Sequence, residues 1–75
     1  MERLKVLHIE DNYVEREALS IALKKENNLI MVGSTGKAHE GLLMVKQYLP
    51  EVVILDLELK YGTEDGFYFL DGLKN

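Results

Sequence analysis

The sequence has no cysteine, no tryptophan and a single proline in 75 residues. Without cysteine there is no disulfide framework and no thiolate metal site, which fits a reducing cytoplasm. Aliphatic runs are short as well. The longest, Val52-Val53-Ile54-Leu55, falls far below the roughly 20 residues that a membrane-spanning helix needs, and the N-terminus lacks the apolar core of a signal sequence. A soluble, cytoplasmic protein with no membrane contact is expected. Clustered positive charge is scarce too. Nine basic against 13 acidic residues give a net charge of −4, and the only basic pair, Lys24-Lys25, reads as the solvated end of a helix. Such a chain has no stripe for phosphate contacts, so direct nucleic-acid binding is not expected.

The chain is nonetheless apolar enough to fold, with 47% hydrophobic and 29% charged residues, the balance of a globular protein rather than a disordered one. Its size allows one small domain at most, with a marginal core. Leu4-Lys5-Val6-Leu7-His8-Ile9 is nearly continuous in apolar character and stops at Glu10-Asp11-Asn12, as suits a strand buried on both faces of a parallel sheet. Asp or Asn there can cap a helix over about Tyr13 to Lys25. Val14, Ala18, Ile21 and Ala22 form its inner stripe, and Glu15, Arg16, Glu17 and Lys24 face water. Leu29 to Val32 forms a second strand, ended by Gly33-Ser34-Thr35-Gly36. A second helix covers Ala38 to Tyr48 with Leu42, Val45 and Leu49 inside, and Pro50 ends it. Val52 to Leu55 is a third strand, residues 57–65 a polar loop, and Gly66 to Lys74 a third helix. This alternation predicts an α/β fold with a parallel sheet and right-handed crossovers.

Ligands of open parallel sheets gather beyond the carboxyl ends of the strands. The first strand ends in Glu10-Asp11 and the third in Asp56. If the two are neighbours, three carboxylates converge, and their mutual repulsion calls for a cation. Hard oxygen donors with no partnering His or Cys suit Mg²⁺ or Mn²⁺ rather than zinc. A lone Asp after a strand is usually a helix cap, but acids ending two strands favour a functional site. His8 reads as a satisfied core histidine and His39 as a surface residue.

Val6-Leu7-His8-Ile9-Glu10-Asp11-Asn12 and Pro50-Glu51-Val52-Val53-Ile54-Leu55-Asp56, together with Gly33, the Gly36 to Leu42 stretch and Asp65-Gly66, resemble the response-regulator receiver domain of two-component signalling. The resemblance implies a flavodoxin-like, doubly wound parallel sheet, here truncated to about three β/α units in the order 2-1-3, so that residues 1–75 form a partial receiver domain. It also implies phosphorelay signal transduction: Asp56 as phosphoacceptor, receiving the group from a sensor histidine kinase or phosphotransfer protein. Mg²⁺ would be held by Glu10, Asp11, Asp56 and the backbone carbonyl of Glu58. Any enzymatic activity would be self-catalysed phosphorylation and dephosphorylation in a full-length parent. The sequence departs from the family pattern in the stretch Lys60-Tyr61-Gly62-Thr63-Glu64, which is long and lacks the customary proline. It also lacks the fourth strand with its switch Ser/Thr and the fifth with its phosphate-binding Lys, and neither Thr35 nor Thr63 is placed to substitute. Phosphorylation of this chain is therefore expected to be poor. The exposed third strand, with Phe67, Phe69 and Leu70 uncovered on the third helix, implies a homodimer or larger. The alternative function is a receiver-like dimerisation or interaction module without phosphotransfer. A metal-dependent phosphohydrolase or nuclease fits less well, because Asp56-Leu57-Glu58 lacks the Asp-x-Asp spacing of the haloacid dehalogenases.

Overall fold

A computed structural model describes residues 2–57 and 65–74. The element order is β1 (Leu4–Ile9), α1 (Tyr13–Leu23), β2 (Leu29–Thr35), α2 (Ala38–Tyr48), β3 (Val52–Leu55) and α3 (Gly66–Gly72). All pairing is parallel, and β1 lies in the middle of the order β2-β1-β3. This is an open α/β sheet of three β/α units, as a truncated flavodoxin-like fold requires. Among the described residues no helix is long and apolar enough to cross a membrane.

The central strand carries two different faces, because successive side chains of a strand point to opposite sides. Leu7 and Ile9 are fully buried and cluster with Ala38 and Phe69, while Leu42, Met44, Val45, Val53 and Leu55 pack around them. This is the layer under α2 and α3. Burying a side chain such as Leu7 or Phe69 stabilises by roughly 1.5–3 kcal/mol, so a handful of residues carries most of the hydrophobic stability. Val6, His8 and Glu10 alternate with them and are buried on the other face, where α1 lies.

Four expectations need correction. First, α1 turns a different stripe inward: Val14 is 76% and Ile21 57% exposed, and Ala18 and Ala22 are exposed too, while Arg16, Leu19, Ser20 and Leu23 are half-buried. The helix is apolar on two stripes, and the sheet takes the one containing Leu19 and Leu23. Arg16 thus faces the protein, not water. Second, β2 does not stop at Gly33. Between Val6 and Leu7 the partner jumps from Met31 to Gly33, leaving Val32 as the extra residue of a β-bulge that lets the strand continue to Thr35. Third, Leu49 is not part of the inner face of α2. It is 70% exposed and caps the helix in the left-handed region, at φ 49° and ψ 59°. Fourth, Phe69 is fully buried rather than uncovered, whereas Phe67 and Leu70 are exposed.

Helix starts follow local capping. The Asn12 side chain accepts from Glu15 N at 3.0 Å, and Asp65 accepts from Tyr68 N at 3.0 Å, each satisfying a donor that the first turn leaves free. At α2 the job falls to Thr35, whose hydroxyl accepts from Lys37 N at 3.2 Å and donates to Glu40 at 2.5 Å.

Candidate metal centre at the carboxyl ends of β1 and β3

The sheet ladder fixes which side chains meet. Asp56 N donates to Ile9 O at 3.0 Å and Glu10 N donates to Thr35 O at 2.9 Å, so the last residues of all three strands are aligned at one end. Glu10, Asp11 and Asp56 each offer a carboxylate oxygen, and these lie within 4.8 Å of one another. Glu10 is buried, and Asp11 and Asp56 are half-buried. The convergence expected from two acidic strand ends is therefore present. The carbonyl of Glu58 and the 60–64 stretch lie outside the described residues.

Burial disfavours the charged form of Glu10 most, and hydrogen bonding with Glu15 and Asp56 and their negative charge act in the same direction. Together they push its pKa from 4.5 up to about 7. Glu15, in the first turn of α1, is a neighbour that the sequence pattern did not single out. Such a strongly raised carboxylate beside two other acids is the electrostatic signature of a site awaiting positive charge. Octahedral Mg²⁺ takes oxygens at 2.0–2.1 Å, which sets ligand–ligand separations of about 3.0–4.2 Å. The three oxygens are close to that range already, and their chemistry fits a hard cation.

α3 sits directly on this end of the sheet. A Cβ on Gly66 would come within 2.5 Å of the Leu57 Cα and 2.7 Å of the Asp56 carbonyl oxygen. Only the absence of a side chain lets the helix start against the main chain that carries Asp56.

His8 lies on the same face of β1 as Glu10 and is buried as expected, but it is not satisfied: its Nδ1 has no hydrogen-bond partner. Burial and then the charge of Arg16 lower its pKa, which keeps the ring neutral. His39 is exposed, as expected.

Three relatives align along nearly the whole chain. Protein-glutamate methylesterase/protein-glutamine glutaminase 2 of Shewanella sp. (strain MR-4) is 34% identical over 70 residues, 93% of this chain and 19% of its own length. Protein-glutamate methylesterase/protein-glutamine glutaminase 1 of Caulobacter vibrioides is 34% identical over 71 residues, 95% of this chain and 20% of its own. The protein-glutamate methylesterase/protein-glutamine glutaminase of Hydrogenovibrio crunogenus is 33% identical over 73 residues, 97% of this chain and 19% of its own. The N-terminal part of these proteins is a receiver domain. The chain belongs to the response-regulator receiver family. No family profile matches it. The receiver spans about a fifth of the length of these curated relatives, and the activities in their names are those of much longer proteins.

Within the receiver, Glu10, Asp11 and Asp56 are the residues that could hold the metal. Thr35 is occupied by Lys37 and Glu40. Arg16, expected at the surface, instead donates to the main chain of the site, a contact that side-chain patterning cannot reveal because its acceptor is a backbone carbonyl.

Proposed function

We propose that this receiver serves phosphorelay signalling by accepting a phosphoryl group on Asp56 from the phosphohistidine of a sensor histidine kinase or phosphotransfer protein, in the cytoplasm. The observation that carries this reading is the convergence of Glu10, Asp11 and Asp56 within 4.8 Å. An oxygen of the ionised Asp56 attacks phosphorus, the P–N bond breaks, and its electron pair stays on the donor imidazole. The product is an acyl phosphate. Glu10, Asp11 and Asp56, with the Glu58 carbonyl, are the proposed protein ligands of Mg²⁺. Bound there, the ion would supply positive charge against the phosphoryl oxygens in a reaction governed by positioning and electrostatics. Glu10 takes up a proton near pH 7, so protons and Mg²⁺ compete for it.

Titration calorimetry tests the metal, and mass spectrometry after small-phosphodonor treatment tests the acceptor. Mg²⁺ affinity should fall clearly in Asp56→Asn and Asp11→Asn. Labelling should be confined to Asp56. Equal Mg²⁺ binding by wild type and Asp56→Asn would remove the metal site, and labelling that persists in that variant would remove Asp56 as acceptor.

A second reading, a dimerising interaction module, is favoured by a different observation. Val52 and Ile54 of β3 are each 38% exposed, and Phe67 and Leu70 are 62% and 44% exposed on α3. An apolar strand with an open edge is a template for pairing with another chain. Sedimentation equilibrium should show a dimer or larger species at micromolar concentration. A folded monomer throughout that range would dispose of this reading without touching the first.

A further inference from the structure

In a parallel ladder, the carbonyl of Glu10 should accept from the amide two residues beyond Thr35, continuing the pattern in which Glu10 N donates to Thr35 O. That amide belongs to Lys37, and it is diverted to the Thr35 hydroxyl at 3.2 Å to start α2. The Glu10 carbonyl, the first beyond β1, is thus left without a strand partner at the point where the chain turns into Asp11. Arg16 fills the gap. Its Nη1 donates to Glu10 O at 2.6 Å, a charge-assisted bond from one turn inside α1. The guanidinium also lies 5.6 Å from the centre of the Tyr13 ring. On the β2 side Gly36 leaves it space: a Cβ there would approach Nη1 to 3.0 Å, the Asp11 Cα to 3.3 Å and the Glu10 carbonyl oxygen to 3.4 Å, crowding the guanidinium.

We propose that Arg16 is a positioning residue of the metal centre, substituting for the missing ladder donor and holding the Glu10–Asp11 peptide so that both carboxylates turn toward Asp56. This rests on the reading of the three acids as a metal site. The effect passes through the main chain, since the guanidinium grips the carbonyl that joins the two ligand residues. Groups of this kind behind the ligands typically govern metal affinity by 10–100-fold.

The test joins a metal-free readout to a metal titration on the same 75-residue chain. In the metal-free protein, Arg16→Gln should shift the NMR signals of the Glu10 carbonyl carbon and the Asp11 amide nitrogen. Gly36→Ala, which crowds the guanidinium without removing it, should shift them the same way and less. Mg²⁺ affinity should fall about tenfold in Arg16→Gln and recover in part in Arg16→Lys, whose ammonium can donate to the same carbonyl without the planar fork. Leu23→Ala, at the far end of the same helix, should lower the melting temperature and leave Mg²⁺ affinity alone. The proposal is overturned if Arg16→Gln leaves the two signals in place, if it binds Mg²⁺ as wild type does, or if Leu23→Ala weakens binding equally. If wild type binds no Mg²⁺ while the signals still move with Arg16, the main-chain clamp stands and the metal reading falls instead.

Discussion

Under α2 and α3, Leu7 and Ile9 of β1 meet Ala38 and Phe69 with no surface left exposed. Across the same strand, under α1, Val6 and His8 are almost as buried, yet the helix above them contributes no buried residue of its own. One side is a dry hydrocarbon layer. The other is a mixed layer, with a neutral imidazole, a guanidinium and a protonatable carboxyl, and with an apolar stripe of α1 turned outward. Stability and chemistry are thereby divided between the faces of a single strand. The α2/α3 side gives the sheet its rigidity, and the α1 side holds the polar groups that shape the acidic end.

The largest effect that could break this division comes from the core. Phe69→Ala should cost about 3–5 kcal/mol, enough to unfold a small domain of ordinary stability. Val14→Ala, on the outward stripe of α1, should stay within about 0.5 kcal/mol. Urea denaturation of both variants measures the contrast, and similar losses would mean that the α1 side carries as much packing as the other.

A smaller effect should come from Glu10, and its sign separates the acidic end from an ordinary surface acid. Its carboxyl keeps a proton up to about pH 7 in the folded chain, whereas in the unfolded chain it ionises near its usual value of 4.5. Between these limits the folded state binds more protons, so stability falls as pH rises. Metal-free protein should therefore lose melting temperature between pH 5 and about pH 7.5, and Mg²⁺ should restore it at the upper end. Glu10→Gln should flatten the profile. A profile unchanged in that variant would place the proton elsewhere.

The smallest effect concerns Leu49, which ends α2 with a left-handed backbone that a branched side chain resists. Leu49→Gly should gain about 0.5–1 kcal/mol, since the strain relieved exceeds the chain entropy that glycine adds to the unfolded state. Thermal melting checks it. A loss instead would show that the exposed Leu49 side chain contributes contacts worth more than the strain.

Much of this architecture is written in local patterns. β1 and β3 keep their expected limits, Leu4–Ile9 and Val52–Leu55, because each is a short apolar run that stops at an acid, and α2 begins and ends where expected. The acids at two strand ends point to the carboxylate cluster from sequence alone. What local pattern could not decide was a choice between equals. α1 has two apolar stripes about a third of a turn apart, and only the sheet selects between them. Nor could it show that Lys37 N would leave the ladder for a hydroxyl, which is what gives Arg16 its carbonyl. His8 was legible as buried, but its unpartnered Nδ1 depends on what α1 places opposite it.

The bulge at Val32 has a consequence best expressed as parity. Beyond it, Gly33 and Thr35 pair with Leu7 and Ile9 and share their face, while Ser34 goes with His8. Before it, Leu29 and Met31, also odd-numbered, pair with Leu4 and Val6 and so belong to the opposite face. One extra residue thus reverses the odd–even rule halfway along β2. Thr35, paired with Ile9, lies on the face where it reaches Glu40 and starts α2. β2 therefore counts its residues modulo two. Deleting Val32 would merge the two halves into one regular strand and leave every side chain on its present side, whereas deleting Ile30 with the bulge kept would turn Leu29 toward the wrong helix.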